Sequence, residues 1–123
     1  MLLRFFTNKR IKADTKITMF NHSKVISTYL FVFAAGPYVF KDSPIGSGTV
    51  PMRLYSARSS EQLLDNYSDF VFDVVQKAMA FFEDFFAEKY PFPKYDQIFV
   101  RDFQSSAMEN AGLVAFKEER FLL

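Results

Sequence analysis

Apolar and polar residues alternate in one rhythm before residue 58 and in another after it. The run Ile26-Ser-Thr-Tyr-Leu-Phe-Val-Phe-Ala-Ala35 is β-branched and aromatic and stops at the Gly36-Pro37 breaker. Its near-continuous apolar character predicts a strand buried on both faces. The weaker segments Ile11–Phe20 and Tyr38–Phe40 are expected to pair beside it. Turn formers dominate residues 41–48, which predicts a loop, and Val50–Tyr55 reads as a further strand weakened by Pro51.

From Arg58 onward the period becomes helical. Ser59 with Gln62 matches a capping box, in which hydroxyl and amide each satisfy an orphan backbone N–H. A turn at Asp65-Asn66 and a long helix from Tyr67 to Lys89 are expected next. Val71, Val74, Val75, Ala78, Phe82, Phe85 and Phe86 recur at three- and four-residue steps and form one apolar stripe. Phe70, Phe72, Met79 and Phe81 lie off that stripe, so burial on more than one side is expected. Tyr90-Pro-Phe-Pro93 ends the helix, because proline lacks the N–H and clashes with a continuing turn. Gln97–Phe103 and Leu113–Phe116 read as strands. The pattern is α+β, with the one defensible division between residues 1–57 and 58–123.

Composition narrows the function classes. A chain of 123 residues holds one domain or pieces of two, and 50% hydrophobic content suffices for a packed core. A net charge of +1 gives no electrostatic case for nucleic acid or an anionic membrane. The basic residues Lys9, Arg10, Lys12 and Lys16 are interrupted by Asp14 and read as a solvated face. Without cysteine there is no disulfide and no thiolate ligand, which fits a reducing compartment and a cytoplasmic location. The apolar opening Met1–Phe6 is too short for a signal-peptide core or a bilayer crossing, so no membrane span is expected.

Candidate chemistry is sparse. His22 is the single histidine, and one imidazole with no cysteine cannot build a zinc site of three or four protein ligands. No nucleophile elbow or Walker loop is present, and Gly46 with Gly48 reads as loop. Glu83, Asp84 and Glu88 read as the polar face of the helix, and Glu118-Glu119 as an exposed turn. The segment Ser105-Ser-Ala-Met-Glu-Asn-Ala-Gly-Leu113 stands apart. Glu109 and Asn110 are types depleted in strands, yet they follow a strand candidate directly. A carboxylate at a strand edge suits a cationic group; by residue type alone, a solvated turn glutamate is the simpler reading.

Four segments in order resemble the zinc aminopeptidases typified by aminopeptidase N. They are Ser27–Gly36, Pro51-Met-Arg-Leu-Tyr55, Tyr90-Pro-Phe-Pro-Lys-Tyr-Asp96, and Ala107-Met-Glu-Asn110 followed by Gly112-Leu113. The resemblance implies the closing strands of an antiparallel β-domain, then the first helix and strands of a thermolysin-like catalytic domain. It assigns the substrate's α-ammonium to Glu109 and substrate-binding contacts to Ser106, Ala107, Met108 and Asn110. It implies a peptide N-terminus as partner and zinc as the parent's cofactor. The family's H-E-x-x-H helix and later Glu ligand lie beyond the position of Leu123, so no metal ligand and no catalytic residue is expected in this chain, which is expected to be inactive alone. Ser106 replaces the motif's glycine. A metal-free module that grips peptide N-termini is the alternative, and apolar surface shaped for absent neighbours implies self-association.

Overall fold

The structure, a computed structural model, describes residues 3–12, 15–44 and 50–121. Met1, Leu2, Asp14 and the Gly46–Gly48 part of the expected loop lie outside the described residues. Strands β1 (Leu3–Lys12) and β2 (Thr15–Asn21) form a two-stranded antiparallel sheet. A mixed sheet follows, built from β3 (Tyr38–Asp42), β4 (Arg53–Ala57), β5 (Asp96–Val100), β6 (Ala107–Met108) and β7 (Leu113–Lys117). Its order is β3-β4-β5-β7-β6, so β3 and β6 are the edges. The β4–β5 and β5–β7 pairs are parallel, the outer two antiparallel. Parallel neighbours need a crossover, and helix α1 (Glu61–Phe85) supplies it between β4 and β5. A one-turn helix α2 (Glu118–Phe121) follows β7 directly. The class is α+β, and the five-stranded sheet takes strands from both sides of residue 58.

Each face of this sheet carries its own core. Met52, Leu54 and Phe99 meet Leu64 and Phe72 of α1 on one face. On the other, Ile98, Leu113 and Ala115 are covered by Val32, Ala34, Tyr38 and Met108. No described helix is long and apolar enough to cross a membrane.

Several local expectations are corrected. Residues 26–35 form no strand: a 3-10 turn at Thr28–Leu30 opens an extended segment whose backbone joins the sheet region through Ala111 N–H to the Leu30 carbonyl, 3.3 Å. Nor is it buried on both faces, since Val32 and Ala34 turn inward while Phe33 is 66% exposed. High β-propensity reports fit to a half-buried pleated surface, and among the described residues no strand makes a ladder with this segment. Tyr38–Asp42 pairs instead with β4.

Helix α1 runs unbroken through Asp65 and Asn66, because both lie on its exposed face where they cost only propensity. Its buried line is Leu64, Ser68 and Phe72, continued by the half-buried Val75 and Met79. The expected stripe through Phe82, Phe85 and Phe86 is exposed, as are Phe70 and Phe81. Ser59 caps nothing; Ser60 is the residue preceding the helix, and its hydroxyl makes no capping bond to the backbone. At the other end Ala87 adopts φ 51°, with Ala87 N–H on the Asp84 carbonyl and Glu88 N–H on the Glu83 carbonyl. This is the Schellman pattern, which ends the helix before the prolines do.

Candidate functional site

Strand β6 is two residues long and lies at an edge, and its register decides which backbone groups are free. Lys117 N–H donates to the Ser106 carbonyl at 2.9 Å, and Ala107 and Met108 stand opposite Phe116 and Ala115. Bonded and non-bonded pairs alternate in an antiparallel ladder. Ser106 and Met108 therefore direct their main chain at β7, while Ala107 turns its N–H and carbonyl to the open edge. Side chains alternate too: Met108 packs beside Ile98 and Ala115, and Ala107 and Glu109 are exposed.

Glu109 has no hydrogen bond or ion pair among the described residues and sits directly before a turn. Leu113 N–H donates to the Asn110 carbonyl at 3.3 Å, and Gly112 holds φ 71° at the third turn position. A β-turn with positive φ there calls for glycine. Asn110 is buried, and its amide reaches the Leu30 carbonyl at 3.4 Å, so that side chain serves the fold. Ser106 is not among the residues of positive φ, and its hydroxyl accepts from Arg120 at 3.1 Å. The serine therefore fits where the motif has glycine without backbone strain.

Beneath the turn lies a buried ion pair that reading the residues singly did not pick out. Lys94 Nζ donates to Asp96 Oδ2 at 2.5 Å and to the Gly112 carbonyl at 2.8 Å, and Asp96 N–H reaches the same carbonyl at 3.2 Å. Burial raises the Asp96 carboxyl above its ordinary value, opposed by the Lys94 ammonium. Nearby, burial pushes the Tyr90 hydroxyl up to about 12, offset in part by the Gly112 backbone. The signal for this pair was the Lys-Tyr-Asp ending of the proline turn. A cavity of about 930 Å³ adjoins it, lined by Phe33, Tyr38, Arg53, Tyr55, Lys94 and Asp96 among others; Glu109 is outside it.

A second buried carboxylate stands at the start of α1. Glu118, expected in an exposed turn, is 3% exposed: its Oε1 accepts from Ser60 Oγ at 2.7 Å and Arg101 Nε at 2.8 Å. Glu118, the first residue of α2, is thus held by the serine that precedes α1 and paired with the Arg101 guanidinium. Among the described residues no group of three His, Cys, Asp or Glu side chains could hold a metal. His22 is exposed, and among the described residues it belongs to no such group.

Known proteins resemble this chain over most of its length. The Peptidase family M1 domain matches residues 70–123. Over 116 residues the chain is 34% identical to Aminopeptidase 2, mitochondrial, of Saccharomyces cerevisiae, covering 94% of this chain and 12% of that protein. It is 36% identical to Aminopeptidase N of Streptomyces lividans over 76% of this chain and 11% of that one. Against Glutamyl aminopeptidase of Rattus norvegicus the figures are 35%, 89% and 11%. The chain spans about a ninth of the length of these relatives, 11 to 12%. With relatives along nearly its whole length and the motif turn built as described, the chain belongs to peptidase family M1.

Proposed function

We propose that this chain carries the substrate-gripping part of a zinc aminopeptidase. Glu109 receives the α-ammonium of a peptide, and the open edge at Ala107 receives its backbone. The observation that carries this reading is an exposed carboxylate with no partner among the described residues, placed two residues along from main-chain groups that no described strand uses. A charge-assisted bond to an ammonium is strong and directional, and strand addition supplies affinity with little side-chain selectivity. Only the first residue of a peptide bears that ammonium, so a grip of this kind selects chain ends. The relatives' printed names, aminopeptidases from yeast, bacteria and rat, support the same direction.

On this reading the hydrolytic step belongs to parts of the parent protein other than these residues. The 123 residues by themselves are expected to bind without cutting. Titration with Leu-Gly-Gly and its N-acetylated form tests the grip: the free amine binds, the acetylated peptide does not, and Glu109→Gln removes the difference. Equal binding of the two peptides, or none, rejects it. Chelator-sensitive release of nitroaniline from leucine p-nitroanilide by this chain would reject the assignment of hydrolysis elsewhere.

A further inference from the structure

We propose that Lys94 is a positioning residue for the Glu109 carboxylate, acting through the Asn110–Leu113 turn. The proposal rests on the reading of Glu109 as the amine acceptor. Lys94 does not touch Glu109. Its ammonium is buried and holds the Gly112 carbonyl at 2.8 Å from beneath. Gly112 is the corner of the turn that needs positive φ, and Glu109 precedes the first residue of that turn. The other ties on this turn are neutral: 3.3 Å from Ala111 N–H and 3.4 Å from the Asn110 amide, both to Leu30, 3.2 Å from Asp96 N–H, and the Gly112 backbone with the Tyr90 hydroxyl. The Lys94 contact is the short, charge-assisted one, and such bonds are about twice as strong as neutral ones. The β6 strand itself is held on β7 by the Lys117 N–H bond to Ser106, and an ammonium from the loop after α1 fixes the turn that follows Glu109 and so the direction of its carboxylate.

Asp96 has a specific part in this device. It neutralises Lys94 at 2.5 Å, so the clamp presents no net positive charge to repel an incoming ammonium. Its own N–H adds a second donor to the Gly112 carbonyl. The clamp thus fixes backbone geometry without opposing the ligand it prepares for.

The test uses the 123-residue chain, isotopically labelled, with Lys94→Met, Lys94→Arg and the double change Lys94→Met/Asp96→Leu. Lys94→Met alone strands a buried carboxylate and risks unfolding; the double change leaves no unpaired charge. Leu-Gly-Gly is expected to bind the double variant about tenfold more weakly than wild type, the loss of one well-placed charge-assisted bond. Binding of N-acetyl-Leu-Gly-Gly is expected not to change, and Lys94→Arg restores most of the loss. The Leu113 amide, bonded to Asn110, is expected to exchange faster in the double variant. A folded double variant with wild-type affinity for Leu-Gly-Gly overturns the proposal. If wild type fails to distinguish the two peptides, it is the amine reading that fails; Leu113 exchange then still decides whether Lys94 holds the turn, and unchanged protection overturns it.

Discussion

Asp96 shows two opposed effects on one carboxylate, and their order is readable. Burial raises its pKa, while the Lys94 ammonium, its hydrogen bond and the Arg53 backbone lower it; the net shift is upward from 3.8. A carboxyl raised on folding contributes stability that is fully present below its unfolded pKa and is lost as pH rises through the folded one. Lys94→Met removes the largest opposing causes, so the Asp96 titration followed by carboxyl NMR is expected to move further up. The same cycle fixes the stability effect. At neutral pH the variant must bury an unpaired charge or take up a proton, whereas near pH 4, an order-of-magnitude choice around the ordinary carboxylate range, Asp96 is closer to neutral in both proteins. Urea denaturation is therefore expected to show the penalty of Lys94→Met shrinking as pH falls. A penalty independent of pH would mean that the ammonium does not stabilise the ionised carboxylate.

At the scale of elements, α1 begins with a serine that serves another segment. Ser60 Oγ donates to Glu118 across 58 positions of sequence and accepts from Arg101 at 2.8 Å, while Glu118 Oε2 is buried with no hydrogen-bond partner among the described residues. Truncating Ser60 leaves this carboxylate with a single donor, from Arg101. Unsatisfied buried groups cost roughly 1–3 kcal/mol, so Ser60→Ala is expected to destabilise within that range. Ser59→Ala, at the position the capping box favoured, is expected to stay within about 0.5 kcal/mol of wild type, since an exposed residue away from special contacts rarely does more. Chemical denaturation of the two variants separates them, and equal effects would return the cap to Ser59. The contrast marks what was legible. The presence of α1, its end before Pro91, and strands β5 and β7 follow from local pattern, but the face of α1 that is buried, Leu64, Ser68 and Phe72, does not. The Ser60–Glu118 bond, the register that frees Ala107 and the Lys94–Gly112 contact join residues distant in sequence, and a one-dimensional pattern carries no register. Residues 26–35 failed for the same reason, since a strand exists only with a partner beside it. Glu109 was found through its motif, not through its residue type.

The molecule as a whole has a sheet with two covered faces and a helix longer than the face it covers. Beyond Met79, α1 leaves the core behind: Phe81, Phe82, Phe85 and Phe86 are each more than half exposed. They meet one another, Phe81 stacked on Phe85 at 5.9 Å and Phe82 on Phe86 at 6.0 Å, with edge contacts from Phe81 to Phe82 at 5.4 Å and from Phe85 to Phe86 at 5.0 Å. Each buried aromatic of this size is worth on the order of 1.5–3 kcal/mol over its exposed state, so four together are a strong incentive to find cover. Contiguous apolar patches of this kind are uncommon on monomers. The 123-residue chain is therefore expected to self-associate, with a sedimentation coefficient that rises with concentration. Phe81→Lys with Phe85→Lys removes half the cluster and places cations in the last turn of the helix, where its dipole favours them. Because neither ring touches the core, this pair is expected to restore a monomer and to leave the melting temperature nearly unchanged. A wild-type chain that stays monomeric and melts sharply and reversibly would show that the four rings tolerate water. A double variant that still associates would place the contact elsewhere, with the open edges of the sheet at β3 and β6 next in line, because unpaired backbone groups at an edge are themselves a template for pairing.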